Sequence, residues 1–216
     1  MAPKRKRAAT VASPKKASKD LTKLDTLFNA YKDKGSEEDV IGPDGVEKLC
    51  RDLKVDPSQR EVLLLAWKMG AKRMGYFSRQ EFRDGLSDLG AITIAQLRKV
   101  LPRLPLEVQD SAALDEFHRF AFSFCLTEPG QKIIDSEMAA QMLPLVLPEG
   151  RFVPQFCTFL TEQKDYKKVN ADQWANFLRF SREVKADLSN CEDNPAWPLL
   201  LDNFVEYLRQ HDEAAT

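Results

Sequence analysis

Few residues in this chain carry reactive chemistry, and their spacing argues against most of it. The cysteines are Cys50, Cys125, Cys157 and Cys191, and the histidines are His118 and His211. A cysteine nucleophile needs a neighbouring base or a helix N-terminus to lower its pKa. Cys50, Cys125 and Cys157 instead fall inside apolar helical patterns, where a thiol behaves as a small buried hydrophobe. Cys191 is more loop-like, in Ser189-Asn190-Cys191, with no base beside it. No two cysteines have metal-ligand spacing. There is no phosphate-binding glycine loop, nucleophile elbow or metal-binding helix motif. The expectation is a non-catalytic protein without cofactor or metal.

Gly70 to Glu81 has the length of a calcium-binding EF-hand loop. Gly75, Phe77 and Glu81 occupy the turn, apolar and terminal-acid positions. The places that should supply side-chain oxygens hold Gly70, Lys72 and Met74. Two of these offer no oxygen and the lysine repels a cation, so the loop predicts a paired-helix scaffold without calcium. The 33–44 stretch also lacks the ligand pattern.

Two acids further along, Asp172 and Asp202, are directed at solvent by helical spacing. Asp172 lies opposite the face of Trp174, Phe177 and Leu178, and Asp202 is turned away from Leu201 and Phe204. Spacing alone leaves them as solvated surface.

The elements that carry these residues are helical. Leu21, Leu24, Phe28 and Tyr31 open the pattern. A short helix follows Gly42-Pro43, over 44–53. The next opens at Pro57-Ser58, with Val62, Leu65, Ala66 and Met69 on one face and Leu63, Leu64 and Trp67 on the others, which marks a central, buried helix. Ser78 and Glu81 form a capping box ahead of Phe82. A helix over 93–101 ends at Pro102, and Pro105 predicts a linker. Beyond it come helices near 111–126, from Asp135 towards Leu147 with Pro144 bending or ending it early, over 152–162, after an Asn170/Gln173 capping box, and around Trp197 to Leu208. Val40-Ile41 and Tyr76-Phe77 are the only strand candidates.

The fold class is therefore all-α, an EF-hand-like helical N-terminal lobe (20–103) packed on a C-terminal helical lobe (104–209). A disordered tail (1–19) precedes them, since it has almost no large apolar side chain to offset ordering entropy. Residues 1–20 hold seven Lys or Arg and one Asp, a charge of +6, leaving the body at −7. An acidic body avoids nucleic acid and favours a basic protein surface. Lys4, Arg5, Lys6 and Arg7 read as a nuclear-import signal, with a nucleic-acid patch or a solubilising arm as the alternatives. No aromatic residue is interleaved for base stacking. No apolar stretch is long enough to span a membrane. With no signal peptide, reduced thiols and an intracellular protein are expected.

Six strings, in order, resemble the defective-in-cullin-neddylation family and its potentiating-neddylation domain. They are Ile41-Gly42-Pro43-Asp44-Gly45, Ala66-Trp67-Lys68, Phe77-Ser78-Arg79-Gln80-Glu81-Phe82, Pro129-Gly130-Gln131-Lys132, Asp187-Leu188-Ser189-Asn190 and Ala196-Trp197-Pro198-Leu199-Leu200-Leu201-Asp202. The resemblance spans 22–208, and the basic tail is similar to that of the nuclear branch. It implies a scaffold-type adaptor that holds a cullin and a charged conjugating enzyme together within a ubiquitin ligase complex while a ubiquitin-like modifier passes to the cullin. It implies a patch for the cullin C-terminal winged-helix domain at Asp172, Ala196 and Asp202. It also implies an apolar pocket for the acetylated N-terminal Met of the conjugating enzyme, at Val46, Val62, Leu65, Ala66, Phe77, Phe124 and Leu145. The last two align less closely. Some relatives have an aliphatic residue where Pro43 stands and Cys where Gly75 stands, which alters the pocket rim. The expected location is the nucleus, with the cytoplasm as a second compartment. The rival readings are a calcium sensor and a calcium-independent EF-hand-like module with a basic nucleic-acid-binding arm.

Overall fold

The computed structural model describes residues 14–35, 37–191 and 197–213. The chain is mostly helical, as the periodicity predicts. The first lobe runs α1 (Pro14–Tyr31), β1 (Val40–Ile41), α2 (Pro43–Leu53), α3 (Arg60–Lys68), β2 (Phe77–Ser78), α4 (Arg79–Asp88) and α5 (Ile94–Val100). β1 pairs antiparallel with β2, Val40 opposite Ser78 and Ile41 opposite Phe77. Each short strand leads directly into a helix, so the pairing ties two helix–strand–helix units together. Pro43 opens α2, where its fixed φ suits the first helical turn and its missing N–H loses nothing. Gly45 is required by close approach, since a Cβ there would stand 2.2 Å from the Tyr31 carbonyl oxygen.

α1 begins at Pro14, so residues 14–19 are helical where a disordered tail is expected. The physical reason is propagation. Once the turns from Leu21 are fixed by packing, each preceding residue adds a hydrogen bond at little cost, and proline starts a helix well.

α3 is central. Val62, Leu63, Leu64, Leu65 and Ala66 are all buried, and Trp67 meets the Phe117 ring of the second lobe at 5.4 Å. The linker expected around Pro102 and Pro105 is instead a 3-10 turn (Leu101–Arg103) followed by α6 (Leu104–Glu107). Each proline sits in a first turn, where it is tolerated, and Leu101, Leu104 and Val108 anchor the segment in the core. Residues 101–107 are thus packed helix where an open linker is expected.

The second lobe contains α7 (Ser111–Phe124), β3 (Ile133–Asp135), α8 (Ser136–Val146), α9 (Val153–Glu162), β4 (Lys168–Asn170), α10 (Ala171–Glu183) and α11 (Leu199–Glu213). It repeats the plan of the first: β3 pairs antiparallel with β4, Ile134 opposite Val169, and each strand leads into a helix. This second ribbon is absent from the sequence reading. Pro144 lies inside α8, which continues to Val146. Fully buried Leu143 and Val146 hold the turn in place.

Candidate partner-binding surfaces

The start of α10 is fixed by a reciprocal cap. Asn170 Oδ1 accepts the Gln173 N–H at 2.8 Å, and Gln173 Oε1 accepts the Asn170 N–H at 2.9 Å. Trp174, Phe177, Leu178 and Phe180 then face the core. Asp172 is exposed, its carboxylate accepting from Asn176 Nδ2 at 3.0 Å. α11 is locked onto α10 by rings: Phe177 stacks on Phe156 at 4.0 Å, and Phe204 meets Phe156 at 4.9 Å and Phe180 at 5.9 Å. Phe204 and Leu201 are fully buried, and Asp202 is exposed. Its neighbour Asn203 donates from Nδ2 to the Tyr166 hydroxyl at 2.7 Å. Burial, then the charges of Asp165 and Asp202, raises the Tyr166 phenol pKa. Among the described residues neither Asp172 nor Asp202 enters an ion pair. Ala196 lies outside the described residues, as do Lys4, Arg5, Lys6 and Arg7. Directly after Ala196, Trp197 is buried against Phe180 at 5.5 Å, and the Arg179 guanidinium lies 4.9 Å from its ring centre.

The seven pocket positions lie elsewhere. Val46 on α2, Val62, Leu65 and Ala66 on α3, Phe77 on β2 and Phe124 at the end of α7 are buried. Leu145 on α8 is half-buried against the same core. None of the seven lines the five surface cavities of about 330 to 670 Å³, and all belong to or pack against one hydrophobic core. Gly75 has φ +78°, and a Cβ there would lie 3.9 Å from Pro43 Cγ. A relative's cysteine would have space at that position but a strained backbone.

The 70–81 loop closes on itself. Glu81 accepts the Lys72 N–H at 3.1 Å and the Ser78 N–H at 2.8 Å, while Ser78 Oγ accepts the Glu81 N–H. Its carboxylate serves as the return arm of the α4 cap. Among the described residues no three His, Cys, Asp or Glu side chains are grouped to hold a metal, and no helix is long and apolar enough to cross a membrane. Burial raises the thiols of Cys50 and Cys157 to about 11 and that of Cys125 to about 12. Cys191 is buried too. His118 is buried, which lowers its pKa to about 3.

Residues 96–207, which contain α10, the first turns of α11 and both exposed acids, match the family described as Cullin binding. The chain is 38% identical to DCN1-like protein 2 of Dictyostelium discoideum, over 96% of this chain and 85% of that protein. It is 39% identical to human DCN1-like protein 4, over 88% and 68%. It is 42% identical to DCN1-like protein 4 of Drosophila melanogaster, over 80% and 69%. The chain belongs to the cullin-binding, DCN1-like family. Within that family's matched region, the acids legible in the sequence sit on two helices held rigidly by the aromatic core. What the sequence does not reveal is the support from the loop ahead of β4, where Ser136 Oγ, at the start of α8, donates to the Tyr166 carbonyl at 2.7 Å and Tyr166 in turn meets Asn203. A polar residue at the first turn of a helix was the available signal, but its partner lies 30 residues away.

Proposed function

We propose that this chain is a non-catalytic adaptor for cullin neddylation. It binds the basic winged-helix domain of a cullin through Asp172, Ala196 and Asp202, and the acetylated N-terminus of a conjugating enzyme through the apolar set around Leu65. The observation that carries the reading is the pair of exposed carboxylates outside any ion pair, on two interlocked helices, within the segment that matches the cullin-binding family. A carboxylate without an internal cation keeps its capacity for a lysine or arginine of another protein. A partly desolvated pair of this kind contributes about 1–3 kcal/mol.

The second contact rests on apolar chemistry. Acetylation removes the terminal ammonium, so a methionine can enter a core without burying an unpaired charge. Burying its side chain contributes about 2 kcal/mol. Val62, Leu65, Phe77 and their neighbours must part to admit it. The N-terminal lobe is then an EF-hand-like scaffold in which Glu81 closes the loop that a cation would occupy in a calcium sensor. Buried thiols that stay protonated near neutrality, and a buried, uncharged His118, favour a role in which the adaptor supplies proximity and orientation. The cullin brings the assembly into a ubiquitin ligase complex, and Lys4 to Arg7 direct it to the nucleus.

The test is a single-turnover transfer from a modifier-charged conjugating enzyme to a cullin, with the enzyme acetylated or unacetylated at its N-terminus. The adaptor accelerates transfer, and more so with the acetylated enzyme. No acceleration with any cullin would overturn the adaptor reading, and equal acceleration would overturn the pocket.

A further inference from the structure

One face of the second lobe carries two adjoining cavities. The first, about 380 Å³, lies between α7 and α10 and has Phe122, Trp174 and Leu178 in its wall. The second, about 670 Å³, lies at the junction of the lobes against Leu106, Val108 and Val146. Leu178 and Arg182 line both, so the two meet along α10. The apolar wall continues into Leu106, which is 60% exposed.

The rim is cationic. Arg119 and Arg179 border the first cavity, Arg60 and Arg151 the second, and Arg182 both. Three acids share these walls, Asp115, Glu149 and Glu183. Arg182 pairs with Asp115 at 2.6 Å, and Arg179 with Glu183 at 3.0 Å. That leaves Arg60, Arg119 and Arg151 outside any ion pair among the described residues. Arg60 donates to the Val146 carbonyl at 3.4 Å and Arg151 to that of Val184, but the Arg60 Nε is buried with no partner. His118, also in the wall, is 2% exposed and stacks on Trp174 at 4.7 Å, and its Nε2 is buried without a partner. Buried polar atoms are nearly always satisfied, so two orphans on one groove call for an outside partner. The cations are unexpected on a body that carries −7 beyond residue 20, and the same net charge disfavours a second copy of this chain as occupant.

We propose that this groove is a docking site for an acidic, apolar peptide segment of a partner protein. Carboxylates of the peptide meet Arg60 and Arg119, with Arg182 adding its Asp115-paired guanidinium where the two cavities join, and its large apolar side chains rest on Trp174, Leu178 and Leu106. Bidentate guanidinium–carboxylate pairs give register, and the apolar floor gives affinity. The groove borders the Asp172 surface along α10, where Ala171 and Ala175 line the first cavity, but its arginines carry the opposite sign and the proposal does not depend on the cullin reading.

The test is fluorescence anisotropy of the full chain with a labelled, capped peptide alternating Glu-Glu with Leu or Phe, beside a matched peptide with Gln for Glu. The Glu peptide binds, weakening as salt rises, and the Gln peptide binds about tenfold less tightly or worse. Arg119→Glu removes an exposed side chain outside any ion pair and weakens binding about tenfold. Arg182→Glu does the same, with circular dichroism checking its fold. Asp172→Ala/Asp202→Ala leaves peptide binding intact, so failure of the cullin reading and failure of the groove are separable. Absence of binding by the Glu peptide would overturn the proposal. So would binding that survives both arginine reversals but is lost on deleting residues 1–13, since the peptide would then sit on the basic tail.

Discussion

The two lobes share a plan and use their acids differently. Each pairs two helix–strand–helix units through a short antiparallel ribbon. In the first lobe the acids near the ribbon are engaged internally. Arg79 bonds Asp39 at 2.5 Å, Asp25 at 3.2 Å and Asn29 at 2.8 Å, and lies over the Phe28 ring at 4.3 Å. Arg83 also reaches Asp25, and Lys32 reaches Asp39. In the second lobe rings do the joining, with Phe204 meeting Phe152, Phe156, Phe159, Phe180 and Tyr207. The acids Asp172 and Asp202 are left facing solvent. The second lobe has ion pairs too, Lys168 with Asp135 across its ribbon, Arg182 with Asp115 and Arg179 with Glu183, but Asp172 and Asp202 stand outside them and keep their charge for a partner.

The sharpest way to break the comparison is to remove a ring from each lobe. Phe204→Ala should cost about 3–5 kcal/mol. It should cost more than Phe82→Ala, whose ring meets only Phe28 among the aromatic pairs of the described residues, at 5.7 Å, since each aromatic pair adds about 0.5–1.5 kcal/mol. Urea unfolding of both variants checks the order. Equal losses would deny the second lobe its special dependence on rings.

Next in size is Arg79→Ala, expected to cost about 1–2 kcal/mol after discounting for partial exposure. Arg182→Ala, on the more exposed pair with Asp115, should change stability by about 0.5 kcal/mol or less. The first effect depends on pH. Arg79 foremost, then Lys32, holds the Asp39 carboxyl below the usual carboxylate range, and Arg83 foremost does so for Asp25. Groups with lowered folded pKa contribute stability above their unfolded pKa, about 3.9, and lose it as pH falls through the folded value. The difference between parent and Arg79→Ala should therefore be full at neutrality and shrink below about pH 4, as thermal melts across that range will show. A difference that held constant into acid would remove the ion pairs from the account.

The smallest contrast is between caps. Ser78→Ala and Asn170→Ala each delete one arm of a capping box at the equivalent helix start in the two lobes. Each should cost about 1 kcal/mol, and unequal losses in urea melts would show that the two starts are not equivalent.

Both caps were legible in sequence because a cap is local: donor and acceptor are three residues apart. The central helix was legible because Leu63, Leu64 and Trp67 leave it no polar face. β1 showed as the apolar pair Val40-Ile41, and β2 showed one residue early, as Tyr76-Phe77 where the strand is Phe77–Ser78. The ribbon of β3 and β4 did not, because in each three-residue strand only the middle residue is buried, Ile134 or Val169, and one buried position carries no period. The helical junction at 101–107 was hidden because proline signals a break and is equally at home in a first turn. At the site, helical spacing placed Asp172 and Asp202 outward, but only resemblance joined them with Ala196. The arginine-edged groove was invisible because Arg60, Arg119, Arg151 and Arg182 come from separate elements and meet only in the fold.

The central claim is that acids left unpaired on the second lobe bind a cullin. Isothermal titration of a cullin C-terminal domain, with the parent and an Asp172→Ala/Ala196→Arg/Asp202→Ala variant of unchanged melting temperature, tests it most directly. The account predicts saturable binding by the parent and a loss of about a hundredfold or more in the variant, the sum of two partly desolvated charge pairs. Equal affinity of the two proteins would contradict it.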